Sequence, residues 1–291
     1  MMIEVGLSPA TLATMGSVFG LLIGSFLNVV ILRLPLQLHA GWRRDSRDFL
    51  GLEPETYVPV TLSSPRSRCP NCEVTIRPKH NIPIISYIFL RGRCNACAEP
   101  IAPQYPLVEL ACGLITAFFV YQYGLSAVTA YSLILSYALV VLTGIDLHEK
   151  LLPDQITLPL LWIGLFANLS GTFMPLTDAV IGAIGGYLSL WIVFWTFKGI
   201  TGKEGMGYGD FKLLGALGAW LGWQMLPMVI LLSTAAGALV GIVGIIFAGR
   251  TRETTIAFGP FIAVAGWIAF VWGDKILSAY LAIFSLYTNI T

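Results

Sequence analysis

Four carboxylates in this 291-residue chain lie at or inside the ends of apolar runs: Glu109, Asp146, Asp154 and Asp210. Ionisable groups in such positions are costly and are functional candidates. Asp146 closes an apolar run in "LTGIDLHEK", at the expected C-terminal end of a helix, where the helix dipole disfavours negative charge. A protonated or proton-sharing carboxyl is more comfortable there. Asp210 follows three alternating glycines in "GMGYGDFK". Gly205, Gly207 and Gly209 permit backbone shapes barred to other residues and let another chain come close. Asp146 and Asp210 are 64 residues apart, and the topology below puts both at span ends on the same side. Two carboxyls in one site cannot both ionise cheaply. The ionised member can take a proton from water while the protonated one polarises a carbonyl, which is aspartic-protease chemistry. Asp154, in "LLPDQITLP", reads instead as a helix N-cap. Glu109, in "YPLVEL", reads as a first-turn acid, a packing partner or a functional group. Gly207, Gly209, Lys212 and Glu109 are the candidates for positioning a substrate beside the pair.

A second constellation is thiol-based. "CPNC" (Cys69, Cys72) and "CNAC" (Cys94, Cys97) are two Cys-x-x-Cys pairs with 21 residues between them. Each pair can place two thiolates on one metal, and two pairs complete a tetrahedral zinc site. Four thiolates leave zinc no open position for water, so one structural zinc per chain is expected. Disulfides are disfavoured if this segment faces the reducing cytoplasm. Cys112, alone in an apolar run, reads as a buried apolar residue. The chain has no His-Glu-x-x-His, and only His39, His80 and His148, which argues against a zinc protease. His148 reads as a surface group. The glycines before Asp210 contain Gly-x-Gly-x-Gly, but a nucleotide loop needs a strand before it, and here an apolar span precedes it. No nucleic-acid partner is expected.

The elements that carry these residues follow from composition. Hydrophobic residues make up 56% of the chain and charged residues 11%, with mean hydropathy +0.77. A soluble domain rarely hides so much apolar surface, so the expected fold is an all-α polytopic membrane protein embedded in a lipid bilayer. Apolar runs long enough to cross as helices lie near 9–32, 107–124, 126–145, 155–173, 179–197, 226–248 and 257–273, with a shorter one near 211–224. That makes about eight transmembrane helices. The first run has no basic residue before it, Arg33 being the first, and is not expected to be a cleaved signal peptide. With the N-terminus outside, 16 of the 17 Lys and Arg fall in cytoplasmic segments, ten of them in 33–105. The expected divisions are a first transmembrane helix (1–32), a small cytoplasmic zinc-ribbon-like lobe (33–105) and a multi-helix membrane core (106–291). Gly16, Gly20 and Gly24 form a small-residue stripe suited to close helix packing, with Asn28 and Arg33 beyond it.

Several blocks together resemble the type IV prepilin peptidases: "GSFLNVVILRLP", "SRCPNC", "LRGRCNAC", "YPLVE", "IDLHEKLLPDQITLPLLW", "GMGYGDFKLLGALGAWLGW" and "FGPFIAVAG". They span Gly16 to about Gly266. The four cysteines resemble the bifunctional branch of that family. The resemblance implies a membrane aspartic endopeptidase with Asp146 and Asp210 as its catalytic pair. It would cut the basic leader from type IV prepilins and type II secretion pseudopilins at the cytoplasmic face. It would then N-methylate the new terminus, commonly phenylalanine, with S-adenosylmethionine at a site the sequence does not locate. The implied location is a bacterial inner membrane. Two rival readings exist. An ion-coupled transporter would use paired intramembrane acids too, but no internal repeat is present. A scaffold recruiting partners through its zinc lobe leaves Asp146 unexplained.

Overall fold

A computed structural model describes residues 6–53, 60–248 and 256–288. Arg250 and Arg252, counted in the charge topology, lie outside the described residues. The described residues form helices and turns, with two isolated antiparallel bridges, Arg68 to Thr75 and Arg93 to Pro100. The helices are α1 (Pro9–Phe49), α2 (Ile85–Phe89), α3 (Gln104–Tyr123), α4 (Ala127–Glu149), α5 (Asp154–Asn168), α6 (Leu176–Thr201), α7 (Tyr208–Leu221), α8 (Leu226–Ala248) and α9 (Gly259–Thr288). Every expected apolar run forms a helix over most of its length, the run 155–173 ending at Asn168. Among the described residues six helical stretches are long and apolar enough to cross a membrane: Pro9–Phe49, Gln104–Tyr123, Ala127–Glu149, Leu176–Thr201, Trp223–Phe247 and Gly259–Ile283. The protein is an all-α, multi-pass membrane protein. The other two runs form α5 and α7, of 15 and 14 residues. At about 1.5 Å per residue these are shorter than a hydrocarbon core of about 30 Å. The apolar segment after residue 276 continues α9 to Thr288.

The chain divides into two compact units, Met1–Val141 and Leu142–Thr291. In the first, α1 runs on through Pro35 to Phe49, well beyond the apolar run. Its glycine stripe is the seam against α3. Gly16 faces Val120, Gly20 faces Thr116 and the Cys112 carbonyl, and a β-carbon on Gly24 would lie 2.7 Å from Cα of Glu109. Asn28 continues the seam by one more turn, donating from Nδ2 to the Tyr105 carbonyl at 3.0 Å. Backbones this close leave no room for larger residues, which is how small-residue stripes stabilise helix pairs without a hydrophobic driving force.

In the second unit α7 is the central element. Residues Asp210, Phe211 and Leu213 to Leu221 are all buried, and Lys212 alone interrupts them. Its neighbours approach over glycine. Gly218 meets Gly182 of α6, a β-carbon on Gly186 would lie 2.5 Å from the Leu214 carbonyl, and Gly266 of α9 faces Leu217. On the α5 side Trp220 Nε1 donates to the Leu160 carbonyl at 2.9 Å, and Asn168 Nδ2 to the Ala219 carbonyl at 3.0 Å. Helix α7 is apolar all round because protein surrounds it. Its first turn, which carries Asp210, is therefore held by this packing.

Candidate active site

Asp146 and Asp210 come from opposite kinds of helix end. Asp146 sits in the last turn of α4, 5% exposed, and Asp210 in the first turn of α7, 6% exposed. Asp146 acts on Asp210 directly as a neighbouring charge. Leu152, between α4 and α5, lies beside Gly209, the neighbour of Asp210, and beside Gly259. A β-carbon on Gly209 would come 2.7 Å from Leu152 Cβ, and one on Gly259 would come 3.0 Å from Leu152 Cδ2. Gly259 opens α9 and donates its N–H to Asp146 Oδ2 at 2.9 Å. The unfavourable position of Asp146 at the end of α4 is thus offset by the N-terminal N–H of another helix. Lys150, just past α4, adds a positive charge near the same carboxylate.

Gly207 is the N-cap of α7, so Asp210 is its third helical residue and not a cap. The Asp210 carboxylate turns back to the backbone N–H of Gly207. This is the reciprocal half of a capping box, with glycine in place of the usual hydroxyl residue. None of Gly205, Gly207 or Gly209 has a left-handed backbone. Gly205 and Gly209 act through their missing β-carbons, whereas one on Gly207 would meet only Asp210 Oδ2, at 3.7 Å. Gly205 lies against the Phe197 ring, where a β-carbon would be 2.8 Å from Cε1, and Gly209 against Leu152. The close approach that Gly209 permits is to Leu152 of the same chain.

Asp154 does not cap α5 either. Pro153 is the cap residue, and Asp154 opens the helix with no side-chain cap bond. Its carboxylate receives both bonds from Lys212 Nζ, at 2.7 and 2.8 Å. Lys212, a substrate-positioning candidate, is engaged in that ion pair. His148 lies exposed in the last turn of α4.

The first unit holds the thiols. The sulfurs of Cys69, Cys72, Cys94 and Cys97 all lie within 4.8 Å of one another, and none forms a disulfide. Cys69 and Cys97 are 3.8 Å apart, the edge of a tetrahedron with Zn–S bonds of about 2.3 Å. The two pairs sit on matching turns. Cys69 N–H donates to the Val74 carbonyl at 3.1 Å, and Cys94 N–H to the Glu99 carbonyl at 2.8 Å. In each turn the residue after the second cysteine is left-handed, Glu73 at φ 56° and Ala98 at φ 58°. Backbone N–H groups, of Ala96 and then Cys97, draw the Cys94 thiol down to about 6, toward the thiolate that binds metal. The donor set and its spacing fit a four-coordinate structural metal.

Two parts of the chain match known families. Residues 18–123 match the Bacterial Peptidase A24 N-terminal domain, and residues 133–242 match the type IV leader peptidase family. Relatives named prepilin leader peptidase/N-methyltransferase align over nearly the whole chain. The Stutzerimonas stutzeri protein is 49% identical over 275 residues, covering 94% of this chain and 95% of its own. The Pseudomonas aeruginosa protein is 50% identical over 263 residues, covering 90% and 91%. The Aeromonas hydrophila protein is 52% identical over 268 residues, covering 91% and 92%. The chain belongs to the type IV leader peptidase family. No solved structure matches it.

In this leader peptidase the candidates divide between the two units. Asp146, Asp210, Gly207, Gly209 and Lys212 are in the second. The four cysteines and Glu109 are in the first. Glu109, 8% exposed on α3, accepts the Ile84 N–H at 2.7 Å and a bond from Ser25. It thereby ties the chain after the first cysteine turn to the α1–α3 pair. Arg33 does the same from α1, donating to the carbonyls of Thr61 at 2.8 Å and Pro65 at 2.6 Å. Sequence reasoning quoted "FGPFIAVAG" as a block but gave Gly259 no role. The available signal was a Gly-Pro pair opening an apolar helix, since proline favours the first turn.

Proposed function

We propose that this enzyme removes the leader peptide from prepilins and pseudopilins and then N-methylates the new amino terminus, usually phenylalanine. The observation that carries the reading is the pair of buried carboxyls, Asp146 and Asp210, inside one packed unit, with Asp146 a neighbouring charge to Asp210. Two carboxyls that cannot both ionise hold one proton between them. The ionised member takes a proton from water, and the water oxygen bonds to the scissile carbonyl carbon. The protonated member gives its proton to the carbonyl oxygen. When the tetrahedral intermediate collapses, the C–N bond breaks, the amine leaves with the proton taken from water, and the carbonyl re-forms by returning its proton. The pair is restored and one water has been added across the peptide bond.

The methyl group would come from S-adenosylmethionine, the second substrate. Zinc, if held by Cys69, Cys72, Cys94 and Cys97, would be structural, because four thiolates fill its coordination. Those residues belong to a proposed lobe, 33–105, between a first helix, 1–32, and the membrane core, 106–291. The distribution of Lys and Arg supports a periplasmic N-terminus, with lobe and aspartates facing the cytoplasm of a bacterial inner membrane. There the aspartates would meet the junction between a substrate's basic leader and its apolar helix.

Purified protein in detergent, given a prepilin and S-adenosylmethionine, should yield a product lighter by the leader and heavier by one methyl group. Mass spectrometry reads both. An unchanged prepilin mass, across several prepilins and with a folded enzyme, contradicts the reading.

A further inference from the structure

We infer that Gly259 is a positioning residue of the peptidase site, and that it makes Asp146 the water-activating base and Asp210 the proton donor. The inference rests on the aspartate-pair reading above and adds a division of roles to it.

Three observations carry it. The Gly259 N–H donates to Asp146 Oδ2 at 2.9 Å across 113 residues of sequence, in a buried setting. A backbone N–H can only donate, so it favours the carboxylate over the acid at that oxygen. Gly259 is the first residue of α9, so the N–H belongs to the free donors at a helix start, where the dipole also favours negative charge. Finally, a β-carbon on Gly259 would sit 2.7 Å from Oδ2 and 3.2 Å from Cγ of Asp146. No side chain fits without moving the carboxylate.

Asp210 is placed differently. It carries the Gly207 N–H and lies in the field of Asp146. Lys150 adds a positive charge near Asp146. Each carboxyl faces a helix-start N–H, Gly207 for Asp210 and Gly259 for Asp146, but the Asp146 bond is buried and 2.9 Å long and has the lysine charge beside it, which assigns the shared proton to Asp210. Water gives its proton to Asp146, and the Asp210 proton passes to the carbonyl oxygen.

The test compares wild type, Gly259→Ala and, as a control for adding a methyl group to a helix of the same unit, Gly185→Ala, whose β-carbon would meet only Leu226 Cδ1 at 3.6 Å. Prepilin cleavage is followed across pH. Gly259→Ala should lower kcat at least tenfold with KM within about twofold, and should move the acidic limb of the kcat profile to higher pH. Gly185→Ala should keep the wild-type profile. Wild-type kcat and pH profile in Gly259→Ala overturn the inference while leaving the aspartate pair intact. Cleavage that survives Asp146→Asn overturns the underlying reading instead. A second measurement does not depend on the folding of Gly259→Ala. In Asp210→Asn, carboxyl infrared bands at neutral pH, compared with the Asp146→Asn/Asp210→Asn double variant, should show Asp146 as carboxylate. A protonated carbonyl band there overturns the assignment.

Discussion

Gly209 shows how a single hydrogen atom can be a structural requirement. A β-carbon there would lie 2.7 Å from Leu152 Cβ, a separation that packed carbon atoms do not reach, and overpacking of this kind costs about 1–3 kcal/mol. The turn that presents Asp210 would have to shift. Gly209→Ala should therefore lower kcat for prepilin cleavage at least about tenfold, a loss of that size in barrier terms being about 1.4 kcal/mol. Leu152→Gly in the same chain should restore part of it. If Gly209 instead served to admit the substrate backbone, KM would rise and Leu152→Gly would restore nothing, so steady-state kinetics of the single and double variants separate the two. Lys212 shows the opposite economy. Its pair with Asp154 joins half-exposed groups, and such surface pairs are worth about 0.2–1 kcal/mol. The sequence made Asp154 a helix cap because a carboxylate after proline and before an apolar run has that local signature. The competing partner lies 58 residues away, where no local rule reaches.

At the scale of elements, the two cysteine turns are near copies, down to the left-handed residue after each second cysteine. Non-glycine residues hold that conformation at a cost of about 1 kcal/mol or more, which binding of a metal by the four thiolates would exceed. Purified protein should contain about one zinc per chain, and Cys94→Ser should lower that content several-fold and speed proteolysis between residues 60 and 101. Elemental analysis and limited proteolysis check both. Full zinc content in Cys94→Ser would contradict a site built from these thiols. This thiol cluster was legible from spacing, because Cys-x-x-Cys pairs encode their geometry locally. Helix α7 was legible only in part. Its apolar run marked a short helix, whereas its burial on all sides depends on Gly182, Gly186 and Gly266 of other helices. The glycine stripe of α1 announced a packing seam, and Asn28 proved to be its next turn.

For the whole molecule, hydropathy gave the helices because bilayer thickness imposes a length that any sequence must honour. It did not show that α7 is buried by its neighbours at every position but Tyr208, Gly209 and Lys212. The proposed pairing of Asp146 with Asp210 starts from an electrostatic misfit. Asp146 stands at a helix end that repels it, where a protonated or proton-sharing carboxyl is more comfortable. The structure supplies a donor to Asp146 at the start of α9, a contact over 113 residues that periodicity and motif spacing do not encode. The central claim is that Asp146 and Asp210 work as one unit. The most direct measurement is the single-turnover rate of prepilin cleavage by wild type, Asp146→Asn, Asp210→Asn and the double variant. Groups acting as a unit are non-additive. Each single variant should fall at least about a thousandfold, and the double variant should be no slower than the slower single one. Cleavage near the wild-type rate in either single variant would contradict the account.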